Sequence, residues 1–268
     1  MKKGEPVRGK AIERRLGAWV EKHSSDELVA QAEALALRRD MVTLLTFVRD
    51  DNIVGTQATG NMPLKALREV VSRFVVPPKL ESTIGEQTYQ VRSETDVWPL
   101  YYLHILAQVG KLLKTGPARR WELTTRGKEF LEHDPLFQAA FLLVTWWHQV
   151  NWLVAYPYEG IGESLPPFFT LTTLVVLRLF PVGAQIPFEK FADTLIEKTG
   201  LTWKAPKSEM APMLLRSSIA RMVIYILEDF GALKPEHQEE PLGKGTTSRL
   251  VGFEIAPFGK ALLDIAAL

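Results

Sequence analysis

The stretch Gly110–Leu131, GKLLKTGPARRWELTTRGKEFL, returns in altered form as Gly231–Leu263. Internal self-similarity means that one supersecondary unit is used twice, and this limits the fold more than composition does. Each copy opens on a glycine, followed by Lys111-Leu112-Leu113 in one case and Ala232-Leu233-Lys234 in the other. Thr115-Gly116-Pro117 is a turn signal. Arg119–Thr124 then alternates as a short strand, with Trp121 and Leu123 on one face. Phe253-Glu254-Ile255 is the matching return strand. Thr124-Thr125 offers a helix N-cap, and the spacing from Glu122 to Gly127 equals that from Glu254 to Gly259. The spacing predicts two short strands joined by a turn, entered from one helix and left by another. The second tip, residues 235–248, is longer and richer in Gly and Pro.

A second, independent correspondence lies upstream. Thr59–Val71 predicts a short amphipathic helix with a proline in its first turn. Its echo matches Met62 with Ile186, Pro63 with Pro187, Leu64 with Phe188, Leu67 with Phe191 and Val71 with Leu195. Between helix and hairpin lies a further helix, about 96–109 in one copy and 208–230 in the other. Counting back from the glycine pairs Leu103 with Ile224, Ile105 with Ile226, Leu106 with Leu227 and Val109 with Phe230. Met41–Asp50 and Thr170–Phe180 supply the preceding helices. In the N-terminal arm, Ser24-Ser25-Asp26 caps a helix expected to run to about Arg39, followed by Thr43–Val48.

The order helix, turn, helix, wing, helix resembles the winged helix-turn-helix superfamily, present twice in tandem, over roughly residues 41–135 and 168–268. A looser likeness, carried by Thr59–Lys65 and Arg120-Trp121-Glu122-Leu123-Thr124, is to a helical region of bacterial plasmid-type open-reading-frame proteins of unknown function. It implies no activity. The expected fold is α+β and predominantly helical. An N-terminal helical arm (1–40) precedes the first winged-helix-like domain (41–135). A connecting helix and loop (136–167) leads to the second (168–268).

The segment Leu136–Tyr158 has no Asp, Glu, Lys or Arg. Gln138, Thr145, His148, Gln149 and Asn151 interrupt it and no Lys/Arg cluster flanks it, so it reads as a buried connecting helix rather than a membrane span. Its apolar face would carry Phe137, Phe141, Val144, Trp147 and Trp152. The absence of cysteine excludes disulfides and thiolate metal sites and favours a cytoplasmic location.

A net charge of +1 provides no global attraction to nucleic acid, so any basic patch must be local. Lys111, Lys114, Arg119, Arg120 and Arg126 cluster on the first hairpin. They read either as phosphate contacts, possible partners being the backbone of duplex DNA, or as charges that blunt a solvated strand edge. Arg216 and Arg221 add candidates on the second copy's helix, where Leu215, Ile219, Met222 and Ile226 would face the core. The first copy's helix offers Trp98, Tyr101 and Tyr102 and no Arg or Lys between Arg92 and Lys111. That surface suits a protein partner better than a phosphate backbone, and an interaction or scaffold role stands as the alternative. The five histidines show no metal-ligand spacing, and no cofactor fingerprint or catalytic constellation is present. Gly243-Lys244-Gly245-Thr246-Thr247 lacks the spacing of a phosphate loop.

Overall fold

The computed structural model describes residues 5–84, 87–155, 160–204, 209–242 and 245–267. Helix accounts for 57% of the chain and strand for 13%, so the fold is α+β, mostly helical, with small sheets. It divides into two compact units. One is Ser24–Thr145; the other joins Met1–His23 to Trp146–Leu268. The N-terminal helix α1 (Glu5–His23) belongs to the latter unit.

In Ser24–Thr145 the chain forms α2 (Asp26–Ala34) and α3 (Ala36–Asp50). Ser25 caps α2, its hydroxyl accepting the Leu28 N–H, as its sequence predicts. The helix ends earlier than Arg39 because Leu35 turns extended, and α3 then runs unbroken through the expected gap before Thr43. Next come α4 (Leu64–Val71), the hairpin β1 (Glu81–Ile84) and β2 (Gln87–Gln90), and α5 (Trp98–Val109). The β1–β2 hairpin has no counterpart in the sequence repeat. Then follow β3 (Leu113–Lys114), β4 (Glu122–Leu123), α6 (Thr125–Glu132) and α7 (Pro135–Gln149).

Helix α7 is shorter than the charge-free segment that predicts it and ends at Gln149. Ala139, Ala140, Leu142, Leu143 and Trp146 are buried along with the expected Phe137, Phe141, Val144 and Trp147. A helix apolar all round is covered all round, so the single-face expectation was too narrow. Among the described residues, no helix is long and apolar enough to cross a membrane.

The second unit continues with α8 (Phe169–Leu179), β5 (Ile186–Pro187) and α9 (Phe188–Thr199). A long helix follows as α10 (Ala211–Ile219), a π-helical stretch (Ala220–Tyr225) and α11 (Ile226–Asp229). Ser208, its expected start, lies outside the described residues. Leu215, Ile219, Met222 and Ile226 face the core as their spacing predicts. The chain closes with β6 (Leu233–Leu242), β7 (Gly245–Ile255) and α12 (Pro257–Ala266). The sheet order is β5-β7-β6. Most of what the sequence offers as a long tip is thus strand. Pro235 and Pro241 sit in β6, an edge strand, where a missing N–H leaves no ladder bond unmade.

The two hairpins share one frame. Leu113 lies opposite Leu123 and Lys114 opposite Glu122; Leu233 lies opposite Ile255 and Lys234 opposite Glu254. Lys111 and Gly231 both take positive φ, 59° and 63°. The following N–H groups, of Leu112 and Ala232, donate to Ala107 and Leu227. The helices therefore align with Lys111 on Gly231, one residue from the alignment of Gly110 with Gly231. Leu106 matches Ile226 and Gly110 matches Phe230. Gly110 itself is right-handed, φ −69°, so it is not the structural counterpart of Gly231.

Gly127 and Gly259 hold equivalent places. A Cβ at either would run into a backbone carbonyl, of Leu112 or Ala232, closer than real Cβ atoms come. This close approach lets the exit helix dock on the base of its hairpin. Pro63 and Pro187 likewise both occupy N-cap positions, φ −62°, just before α4 and α9 rather than in the first turn.

Candidate nucleic-acid interface

The first hairpin is short and pinned. Leu113 and Trp121 point inward and are buried, whereas Lys114, Arg120 and Glu122 point outward, as two-residue alternation requires. A third segment completes it. The Gly55 N–H donates to Arg119 O, the Trp121 N–H to Ile53 O, and Val54 bridges Arg120. Thr124 caps α6 as expected, accepting the Gly127 N–H at 2.9 Å.

Trp121 is buried at 1% exposure, and its Nε1–H donates to Gly60 O at 3.0 Å. Its ring lies 4.3 Å from that of His104. His104 stands at the centre of a chain of hydrogen bonds. A carboxylate accepts only, so Nδ1–H donates to Glu94 Oε1 (2.5 Å) while the Met62 N–H donates to Glu94 Oε2 (2.6 Å). His104 Nε2 is hydrogen-bonded to the Thr115 hydroxyl (3.0 Å), whose oxygen accepts from Gln108 Nε2. Glu94 is wholly buried. These bonds tie the segment before α4, helix α5 and the hairpin turn to one another. A hydroxyl, imidazole and carboxylate in line also form the skeleton of an activated nucleophile. Here the Thr115 oxygen also accepts from the Gln108 side chain.

Sequence spacing gave no sign of this group, because Glu94, His104 and Thr115 sit on three elements that only the fold brings together.

Lys111, Lys114, Arg119 and Arg120 are all solvent-exposed. Among the described residues Lys114, Arg119 and Arg120 have no ion-pair partner within 4 Å. Arg126 is half-buried, and its Nη1 donates to Gly110 O at 3.4 Å, across the C-terminal end of α5. It helps close the hairpin base rather than extend the basic edge.

The second unit's candidates fare differently. Arg216 donates from Nε and Nη2 to both carboxylate oxygens of Asp193, at 2.9 and 2.8 Å. That fork holds the guanidinium still more firmly protonated, and Glu189 lies 3.8 Å away. Its charge is answered within the unit, so it is not a free phosphate contact. Arg221 is exposed on the π-helical stretch. On the second hairpin Lys234 pairs with Glu254 (3.0 Å), and Arg249 pairs with Glu240 (3.0 Å) and Glu189 (2.5 Å). Gly243 and Lys244 of the phosphate-loop-like run lie outside the described residues.

Of the aromatic candidates, Tyr102 is buried at 1% exposure and belongs to the core. Trp98 stacks on it, ring centroids 5.3 Å apart, and Trp98 and Tyr101 are half-buried. Two half-buried rings, not three exposed ones, stand at the surface here. Among the described residues no group of three or more His, Asp or Glu is placed to hold a metal ion.

Comparison with known protein families, curated proteins and solved structures returns no match.

Proposed function

We propose that the chain carries two winged-helix-like units in tandem and that the first contacts the phosphate backbone of duplex DNA through its basic hairpin. What carries the reading is the outward cluster Lys114, Arg119 and Arg120, which makes no ion pair among the described residues, whereas Lys234 and Arg249 of the other hairpin are paired. Lys111 extends the cluster at the hairpin base. The uncharged helix α5 offers little to read base edges, so the contact is to backbone and its sequence preference weak.

The repeated frame and the sheet order β5-β7-β6 support the winged-helix assignment. The test is binding of the full chain to random-sequence duplex DNA across salt concentrations. Three cations on phosphates give a slope of about −2.7 in log affinity against log salt. Arg119→Glu with Arg120→Glu should weaken binding at least tenfold and flatten the slope. No binding at low salt, or binding indifferent to this double change, would sink the reading and leave the alternative role in protein interaction.

A further inference from the structure

Helix α8 is apolar on both sides. Phe169, Thr173, Leu174, Val176 and Leu177 are buried, yet Leu171, Val175 and Leu179 on the other side are exposed by 54%, 50% and 76%. Just outside the helix ends, Phe168 and Val182 are exposed by 74% and 45%. The corresponding helix of the first unit, α3, has no large apolar residue so exposed and sets Arg39, Arg49 and Asp50 outward instead. A helix apolar all round is one meant to be covered all round. Phe168 is also held at φ 65°. Positive φ is an unfavourable state for a bulky side chain, and here it turns an aromatic ring into solvent.

The spacing of the stripe says what covers it. Its members stand at 168, 171, 175, 179 and 182, separated by three, four, four and three residues. The pattern reads the same in both directions about Val175. Antiparallel packing of two such helices therefore sets Val175 on Val175 and Leu171 on Leu179, with Phe168 and Val182 flanking the contact at its ends. Self-complementarity of this kind is the requirement of a two-fold interface. Polar groups border it: Arg178 pairs with Asp264 at 3.0 Å, and Lys260 donates to Arg178 O. An apolar centre with a charged rim is the usual anatomy of such contacts.

We propose that α8 is the dimerisation face of this chain, docking on α8 of a second copy across a two-fold axis at Val175. Five half-exposed side chains from each copy bury roughly 1,000 Å² in total, the lower end for a specific contact, so the dimer is reversible.

Sedimentation velocity of the full chain over a concentration series should show a monomer–dimer equilibrium. Leu171→Glu with Leu179→Glu places four carboxylates in the contact and should raise the dimer dissociation constant at least about a hundredfold. Both positions face solvent, so the circular dichroism spectrum should be unchanged. The chain has no cysteine, so Val175→Cys introduces a single thiol. It should give a disulfide-linked dimer under mild oxidation, whereas Leu171→Cys, far from its own symmetry mate, should not. A chain that stays monomeric at all concentrations overturns the proposal, the stripe then being covered otherwise. So does a dimer indifferent to the double change, or one that cross-links through Leu171→Cys and not Val175→Cys.

Discussion

The two hairpins are built on one frame and spend their charges in opposite ways. Both begin at a residue with positive φ, set a lysine opposite a glutamate, and end under a glycine-tight helix. Residues 111–123 carry four cations against one carboxylate; residues 231–255 carry three against four. In the short hairpin Lys114, Arg119 and Arg120 make no ion pair within 4 Å among the described residues, although Lys114 lies opposite Glu122. In the long one Lys234 and Arg249 pair across the ribbon, and Arg249 also with α9. Shared architecture thus fixes where side chains stand, and the identity of a few neighbours decides whether a cation is available to an outside partner.

The shared frame is broken most severely at its glycines. Gly127→Ala and Gly259→Ala should each destabilise by about 3 kcal/mol or more, because the new methyl meets backbone that must move. Urea unfolding measures this; a large effect at one position and none at the other would show that the frames are not equivalent. Next in size is Glu94→Ala, which is specific to the first unit. It strands the Met62 N–H and His104 Nδ1–H in a dry site, at about 2–3 kcal/mol, and loosens the hairpin turn. Amide exchange around Thr115 should rise with it while exchange in β6 and β7 does not. The charge difference itself is sharpened by reversing Arg119 and Arg120, with the loss of DNA affinity stated above and little change in stability. Reversing the second hairpin's Arg249 should leave DNA binding unchanged. The smallest effect belongs to Arg249→Ala, which removes exposed pairs and should leave the urea midpoint almost unchanged. A marked fall in the midpoint would mean that the ribbon depends on its charges to stay folded.

Much of the frame was legible in the chain. Thr124 and Ser25 announce their helix starts because an N-cap is a local event between residues three apart. The inward Trp121 and the core-facing Leu215, Ile219, Met222 and Ile226 follow from periodicity. The site was less legible. Arg216 looks available until α9 brings Asp193 against it, and Tyr102 looks exposed until it is seen beneath Trp98. Asp193 stands 23 residues from Arg216, a pairing that neither period nor spacing records, whereas Trp98 is one helical turn from Tyr102 and covers one side of it.

By itself, then, the sequence determined the duplicated order of elements, the caps and the apolar faces, since each rests on contacts within a turn or a strand. The tertiary structure decided the remainder. It moved the alignment of the repeat by one residue, because a positive φ and a carbonyl at the right distance, not a glycine letter, end a helix. It joined Glu94, His104 and Thr115 from three elements. It also left Lys114, Arg119 and Arg120 without an ion pair among the described residues and the outer stripe of α8 in solvent, because pairing and burial depend on which distant segments come to rest beside a side chain.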